Sequence, residues 1–332
     1  MTGQITPSVG ARHAAVLGVG AYRPRRVVTN AEILEHIDSS DEWIQTRSGI
    51  KERRWASPDE TVLMMSTNAA KEALDGAGIN PAQVGCVIVA TVTHLYQTPA
   101  IATQLAVAIG APTAAAFDIS AACAGFCYGV AMANDLVRGG SAPYVVVVGV
   151  ERLSDLTDRS DRSTAFIFAD GAGAAVVGPA DEPGIGPVVW GSDGTQHHVI
   201  SQKESWQEAA ASNQWPHLQM EGNPVFRWAS FEMAKVAQQA LDAAGVSAED
   251  LDVFVPHQAN MRITDAMRRA LKLPDHVRIA RDIERQGNTS AASVPLAITA
   301  MRESGEARSG DLALIIGFGA GLVFAGQVIR IP

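Results

Sequence analysis

Cys123 is the side chain best able to form a covalent bond with a substrate. It stands in Asp118-Ile119-Ser120-Ala121-Ala122-Cys123-Ala124-Gly125-Phe126, after a strand-like run and before a helical stretch of small and apolar residues that Gly139-Gly140 stops. A thiol at such a corner meets unpaired backbone N–H groups of a helix N-terminus, which favour the nucleophilic thiolate. Its small neighbours let a substrate come close. His257, in Val255-Pro256-His257-Gln258-Ala259-Asn260, follows an apolar strand at the edge where α/β proteins place acid–base or electrophilic groups. Asn288, in Gly287-Asn288-Thr289-Ser290-Ala291-Ala292-Ser293, reads by itself as a turn or cap residue.

Other reactive-looking residues fit ordinary roles. Cys86 lies inside an apolar run and reads as core. Cys127 falls one helical turn after Cys123, on the same face, and reads as packing beneath the site. Three cysteines in a long chain make no disulfide framework, which predicts reduced thiols and a cytoplasmic location. The histidines lack HExxH or similar spacing, so no metal site is expected. The glycine runs at 18–23, 171–176 and 317–322 fail at the third position of a dinucleotide fingerprint, and none carries a Walker A lysine. A nicotinamide oxidoreductase is therefore excluded and no cofactor is expected.

The elements that must position these groups are written twice. Ala73-Leu74-Asp75-Gly76-Ala77-Gly78 recurs half a chain later as Ala240-Leu241-Asp242-Ala243-Ala244-Gly245. Each copy is followed by a polar turn and an apolar run, at 84–90 and 251–256, which predicts a glycine-capped helix, a loop and a buried strand. Residues 144–150 pair in the same way with 312–319, and the strand-to-turn segment 117–123 pairs with 283–290. Alternating strands and helices predict mixed, mostly buried sheets, with functional residues at the seam between the halves. Residues 191–225, polar and without clear periodicity, are expected to form a long loop over the surface or the site.

Composition narrows the function. With 47% hydrophobic and 18% charged residues, no apolar run of spanning length and no signal-peptide layout in residues 1–12, the chain reads as a well-packed globule off the membrane. A formal charge of −9 argues against general binding of nucleic acid or anionic membrane. An acidic partner would need a local basic patch.

Together with Asp38-Ser39-Ser40-Asp41-Glu42-Trp43-Ile44, Arg47-Ser48-Gly49-Ile50 and Phe168-Ala169-Asp170-Gly171-Ala172-Gly173, these stretches closely resemble the β-ketoacyl-acyl-carrier-protein synthase III family of the thiolase superfamily, actinobacterial members especially. The resemblance runs from Val16 to Ile331. It implies an α/β thiolase-like fold, two similar halves in a five-layered α-β-α-β-α arrangement. Residues 1–184 would carry the nucleophile Cys123, and residues 185–332 would carry His257 and Asn288. It implies that Cys123 takes an acyl group from acyl-CoA, and that His257 and Asn288 stabilise the enolate formed as malonyl-acyl-carrier protein loses CO₂. The acyl oxyanion would sit on the backbone N–H groups of Cys123 and Ala320, where such families usually have glycine.

The resemblance also implies that Trp43 and Arg162 lie at the adenine of CoA, Arg47 at its phosphates and Asn260 at the pantetheine arm. Thr98 aligns with a position that limits the acyl pocket, and a threonine there leaves room for branched or longer primers. For the carrier protein, a helix over 261–273 carries Arg262 and Arg269 on one face, with Arg268 beside them and Arg227 near, which supplies the basic patch. A C₂ homodimer is expected from the family. Two other readings share the fold: a thiolase-fold acyltransferase or starter-unit synthase of polyketide metabolism, and a non-catalytic partner subunit. Relatives that lose condensation often change the Asn or the Cys. Both are intact here, which favours condensation.

Overall fold

Two five-stranded mixed sheets repeat one plan. The structure is a computed structural model and describes residues 5–332. The first four residues of the segment read above for a signal peptide lie outside the described residues. In the first sheet His13–Tyr22, Asp170–Ala180, Tyr144–Arg152, Val84–Ala90 and Ala115–Ile119 lie side by side. In the second the order is Val189–Ser192, Val323–Arg330, Leu312–Gly319, Val253–Pro256 and Arg278–Ile279. Each sheet has two antiparallel junctions followed by two parallel ones, so the halves correspond strand for strand.

Helices make this a five-layered α-β-α-β-α stack. Val62–Ala77 and Ile101–Ile109 cover the outer face of the first sheet, and Gly222–Ala244 with Met261–Ala270 cover that of the second. Gly125–Arg138 and Ser293–Glu303 pack between the sheets. The central strands, covered on both faces, consist of uninterrupted apolar residues such as the fully buried Val145, Val146, Val147 and Val148.

The repeated hexapeptide has a physical meaning. Gly78 and Gly245 both stop their helices in the left-handed conformation, with φ of 65° and 66°. Their N–H groups bond the carbonyls of Asp75 and Asp242. A short capped 3₁₀ turn then leads into the buried strand in each half.

Two expectations need correction. Residues 283–290 do not repeat the strand of 117–123: Ile283–Gln286 is a helical turn, and the strand equivalent to Ala115–Ile119 is the short Arg278–Ile279. Residues 191–225 are not one long loop. They hold the helix Trp206–Ser212, the paired strands Ile200–Gln202 and Leu218–Met220, and the start of the helix at Gly222. These elements are too short for periodicity to betray them, although Ser205 and Glu208 form a reciprocal cap. Among the described residues no helix is long and apolar enough to cross a membrane.

Candidate active site

Cys123 sits in the 3₁₀ turn Ala122–Ala124, which leads into Gly125–Arg138. The residue before it, Ala122, has φ of 42°, a left-handed conformation costly for a residue with a Cβ. The other half makes the same corner: Ser290, with φ of 48°, precedes the inter-sheet helix Ser293–Glu303. The end of the strand Leu312–Gly319 presses against Cys123. A Cβ on Gly319 would lie 2.8 Å from the Cys123 sulfur, so only glycine fits there.

A cavity of about 400 Å³ opens over this corner. Cys123, His257, Asn288, Phe318 and Gly319 line it, as do Trp43, Arg47, Asn260 and Arg262. Its apolar wall includes Phe166, Ile167, Met220 and Phe226. The thiol and the His–Asn pair thus come from opposite halves and share one space.

His257 follows Val253–Pro256, and its N–H donates to the Ile316 carbonyl at 2.7 Å. Its ring stands edge-on to Phe318, with centroids 5.3 Å apart. Nδ1 is 2.7 Å from the Ser293 hydroxyl, which also accepts from Gln258 N–H at 3.3 Å. A neutral ring whose Nδ1 accepts from this hydroxyl carries its own proton on Nε2. Burial lowers the His257 pKa to about 3, so the imidazole is neutral and acts as a donor.

Asn288 is held from both sides. Its N–H donates to Ile167 and its carbonyl accepts from Ala169, each at 2.9 Å. Its Oδ1 accepts from Ser290 N–H at 2.9 Å, which is the turn geometry its neighbours suggest and which leaves Nδ2 as a donor.

Cys123 departs from expectation in one respect. Although the cavity reaches it, burial pushes its thiol up to about 12, and the nearby Ser290 hydroxyl lowers it only in part. Desolvation favours the thiol here, in opposition to the helix N-terminus, which favours the thiolate. Cys127 is buried and pushed up to about 12, and Cys86 to about 11, as inert core thiols are. Among the described residues no three His, Cys, Asp or Glu side chains gather as metal ligands.

Trp43 belongs to the helix Asp41–Ser48, which Ser40 caps by accepting from Trp43 N–H at 3.1 Å. The Arg162 guanidinium lies 4.7 Å from its ring centroid and that of Arg47 lies 5.8 Å away. Asn260 caps Met261–Ala270 by accepting from Arg262 N–H, and its Nδ2 donates to the Arg47 carbonyl, both at 2.9 Å. The helix thereby ties the Trp43 element to the His257 strand. Arg262 and Arg269 line an adjoining surface groove with Phe226 and Phe231, while Arg268 pairs with Asp275 at 2.9 Å. Arg227 is exposed on the neighbouring helix. Thr98 stands apart from the cavity, exposed on a loop with Leu95 and Tyr96. Ala320 opens the turn that follows Gly319.

Sequence reasoning missed Ser290, Ser293, Gly319 and Glu151. The last is a fully buried carboxyl beside the Cys123 corner. Residue type gives no signal for the serines and the glutamate, whose roles come from contacts across the seam. Gly319 had one, the run Gly317-Phe318-Gly319-Ala320-Gly321, which a strand tolerates only where another backbone comes close.

Comparison with known proteins gives one answer. The sequence model of the family "3-Oxoacyl-[acyl-carrier-protein (ACP)] synthase III C terminal" matches residues 241–331, and that of "3-Oxoacyl-[acyl-carrier-protein (ACP)] synthase III" matches residues 117–194. A β-ketoacyl-[acyl-carrier-protein] synthase III of Streptomyces glaucescens is 60% identical over 331 residues, and synthase III 1 of Streptomyces coelicolor is 59% identical over 341 residues. Each comparison covers 99% of both chains. The crystal structure of the priming β-ketosynthase from the R1128 polyketide biosynthetic pathway superimposes with a TM-score of 0.96 at 48% identity, again over 99% of both chains. The chain belongs to the 3-oxoacyl-[acyl-carrier-protein] synthase III family, condensing acyltransferases of thiolase-like fold.

Proposed function

We propose that this enzyme joins an acyl-CoA primer to malonyl-acyl-carrier protein with loss of CO₂, the step that starts fatty-acid synthesis, and that Cys123, His257 and Asn288 carry it. The observation behind the residue assignment is that a thiol from one half and two neutral donors from the other line the same cavity. Cys123 attacks the thioester carbonyl and CoA leaves, which divides one difficult condensation into two easier steps. Malonyl-carrier protein then enters, and His257 Nε2–H and Asn288 Nδ2–H bond its thioester oxygen. As CO₂ departs, that oxygen becomes an enolate, and each donor aimed at it contributes about 3 kcal/mol. The enolate carbon attacks the acyl-Cys, whose oxyanion rests on the backbone N–H groups of Cys123 and Ala320.

Trp43, Arg162, Arg47 and Asn260 are proposed to take CoA, with the adenine stacked at Trp43. With Arg162 already 4.7 Å from that ring, its exposed side chain must swing aside to admit the base. Arg262, Arg269 and Arg227 are proposed to receive the acidic carrier protein; the groove beside Phe231, 68% exposed, supports this. Residues 1–184 and 185–332 are taken as the repeated halves.

A homodimer is proposed as well. The edge strand Ala115–Ile119 is incompletely covered, and Leu95, Tyr96 and Val107 are exposed. In such a dimer Thr98 would shape the acyl pocket from an interface loop. The enzyme is proposed to act in the cytoplasm, without cofactor or metal and without binding nucleic acid or membrane. Starter-unit synthesis for a polyketide is the second reading, favoured by the likeness to the R1128 priming enzyme.

Intact-protein mass spectrometry with a panel of acyl-CoAs, then malonyl-acyl-carrier protein, tests the assignment. A Cys123 adduct discharged as β-ketoacyl-carrier protein is expected, and the panel names the primer. An adduct that ignores malonyl-carrier protein would move the activity to simple acyl transfer. No adduct with any primer would overturn the nucleophile.

A further inference from the structure

The chemistry just described requires Asn288 to hold its amide still against a developing enolate. The strand Glu52–Trp55 stands behind it and does not line the cavity. This strand pairs with Arg26–Thr29, and its period of two puts Arg53 and Trp55 on one buried face. Arg53 is fully buried, and its hydrogen-bond partners are all uncharged. It donates to the Val28 carbonyl at 3.2 Å, to Asn30 Oδ1 at 2.6 Å and to the Phe166 carbonyl at 3.0 Å. Burial lowers its pKa to about 10, which leaves it charged at neutral pH. A buried cation bonded only to neutral groups is costly and calls for a reason.

That reason lies in residues 166–169, whose carbonyls go to two sides in turn. The Phe166 carbonyl accepts from Arg53, and the Phe168 carbonyl accepts from Trp55 Nε1–H at 3.1 Å. Between them, the Ile167 carbonyl accepts from Asn288 N–H, and the Asn288 carbonyl accepts from Ala169 N–H. The segment is thus clamped between the strand on one side and the backbone of Asn288 on the other. Arg53 also meets the residue before Asn288 directly. A Cβ on Gly287 would lie 2.8 Å from the Arg53 Cβ and 2.9 Å from that of Ala169. Gly287 has φ of 72°, so both space and conformation call for glycine there.

We propose that Arg53 and Trp55 are positioning residues for the condensation half-reaction, holding the Asn288 donor in place through residues 166–169. A donor aimed at an enolate works only while its direction is fixed, and a displacement of about 1 Å caused by a remote change can cost on the order of 100-fold in rate. Acylation of Cys123 makes no use of Asn288, so the two half-reactions should respond differently. Arg53 has a second branch, since Asn30 Nδ2 donates to Asp41 Oδ1 at 2.6 Å in the helix that carries Trp43. Acylation is therefore compared at saturating acyl-CoA.

This positioning role rests on Asn288 being an enolate donor, and a double-mutant cycle on CO₂ release from malonyl-acyl-carrier protein keeps the two claims apart. Arg53→Met keeps an unbranched stem, and Trp55→Phe keeps an aromatic ring without the indole N–H. Each should lower kcat for CO₂ release by about 10-fold with KM unmoved. Acylation by acetyl-CoA, per folded enzyme, should stay within about twofold of the wild type. In the Asn288→Ala background neither substitution should slow CO₂ release further. Trp55→Phe carries the test by itself if Arg53→Met does not fold. Wild-type CO₂ release in the folded variants would overturn the positioning role, as would an equal loss in both half-reactions or a full further loss beside Asn288→Ala. CO₂ release at the wild-type rate in Asn288→Ala itself would remove the donor and the positioning role with it.

Discussion

The Ser293 hydroxyl lies 2.7 Å from Nδ1 of His257, across 36 residues of sequence, and a hydrogen bond donated there puts the ring proton on Nε2. Without it, Nδ1 and Nε2 compete for the proton and the donor is lost part of the time. Ser293→Ala should therefore slow malonyl decarboxylation by about 10- to 100-fold. Acylation of Cys123 should stay near the wild-type rate. Separate assays of the two half-reactions check this, and an equal loss in both would contradict it.

Gly319→Ala places a Cβ 2.8 Å from the Cys123 sulfur and 2.9 Å from its backbone nitrogen. Overpacking of this kind costs about 1–3 kcal/mol of stability. The larger effect should be on the thiol, whose alkylation by iodoacetamide and acylation should both fall sharply. Thermal melting beside alkylation rates separates the two effects.

The stacked pair Trp43 and Arg162 should matter for CoA alone. Losing a base stack or its cation–π partner costs about 1–2 kcal/mol, or roughly five- to thirtyfold in KM. Trp43→Ala and Arg162→Ala should raise KM for acyl-CoA in that range. KM for malonyl-carrier protein should not move.

Glu151 also makes stability depend on pH. Burial holds its folded pKa at about 8, above the 4.5 of a free carboxyl, so between these values the folded state binds more protons than the unfolded one. The stabilising contribution is fully present below the lower value and is lost as pH rises through about 8. Glu151→Gln should remove this loss, so that its Tm falls less than the wild type's toward alkaline pH. Parallel melting curves with pH would refute this if the two proteins declined together.

Much of the fold could be read from the chain because it is written twice. The hexapeptides ending at Gly78 and Gly245 mark the same helix stop, and uninterrupted valines mark strands buried on both faces. The third repeat slipped because Arg278–Ile279 is only two residues long and a helical turn intervenes before the second corner. Cys123, His257 and Asn288 stood out by type and setting. Ser293 and Glu151 are ordinary residues whose significance is tertiary: each touches a partner from a distant stretch of chain. At Cys123 local sequence reveals the helix end but not the depth of burial that pulls the thiol the other way.

The central claim is a division of labour between the halves, and CO₂ release from labelled malonyl-acyl-carrier protein measures it most directly, beside acyl-adduct formation on the same variants. Cys123→Ala should form no adduct yet still decarboxylate malonyl-carrier protein. His257→Ala and Asn288→Ala should acylate normally and lose CO₂ release by about 100-fold or more. Decarboxylation at the wild-type rate in His257→Ala and Asn288→Ala would contradict the account.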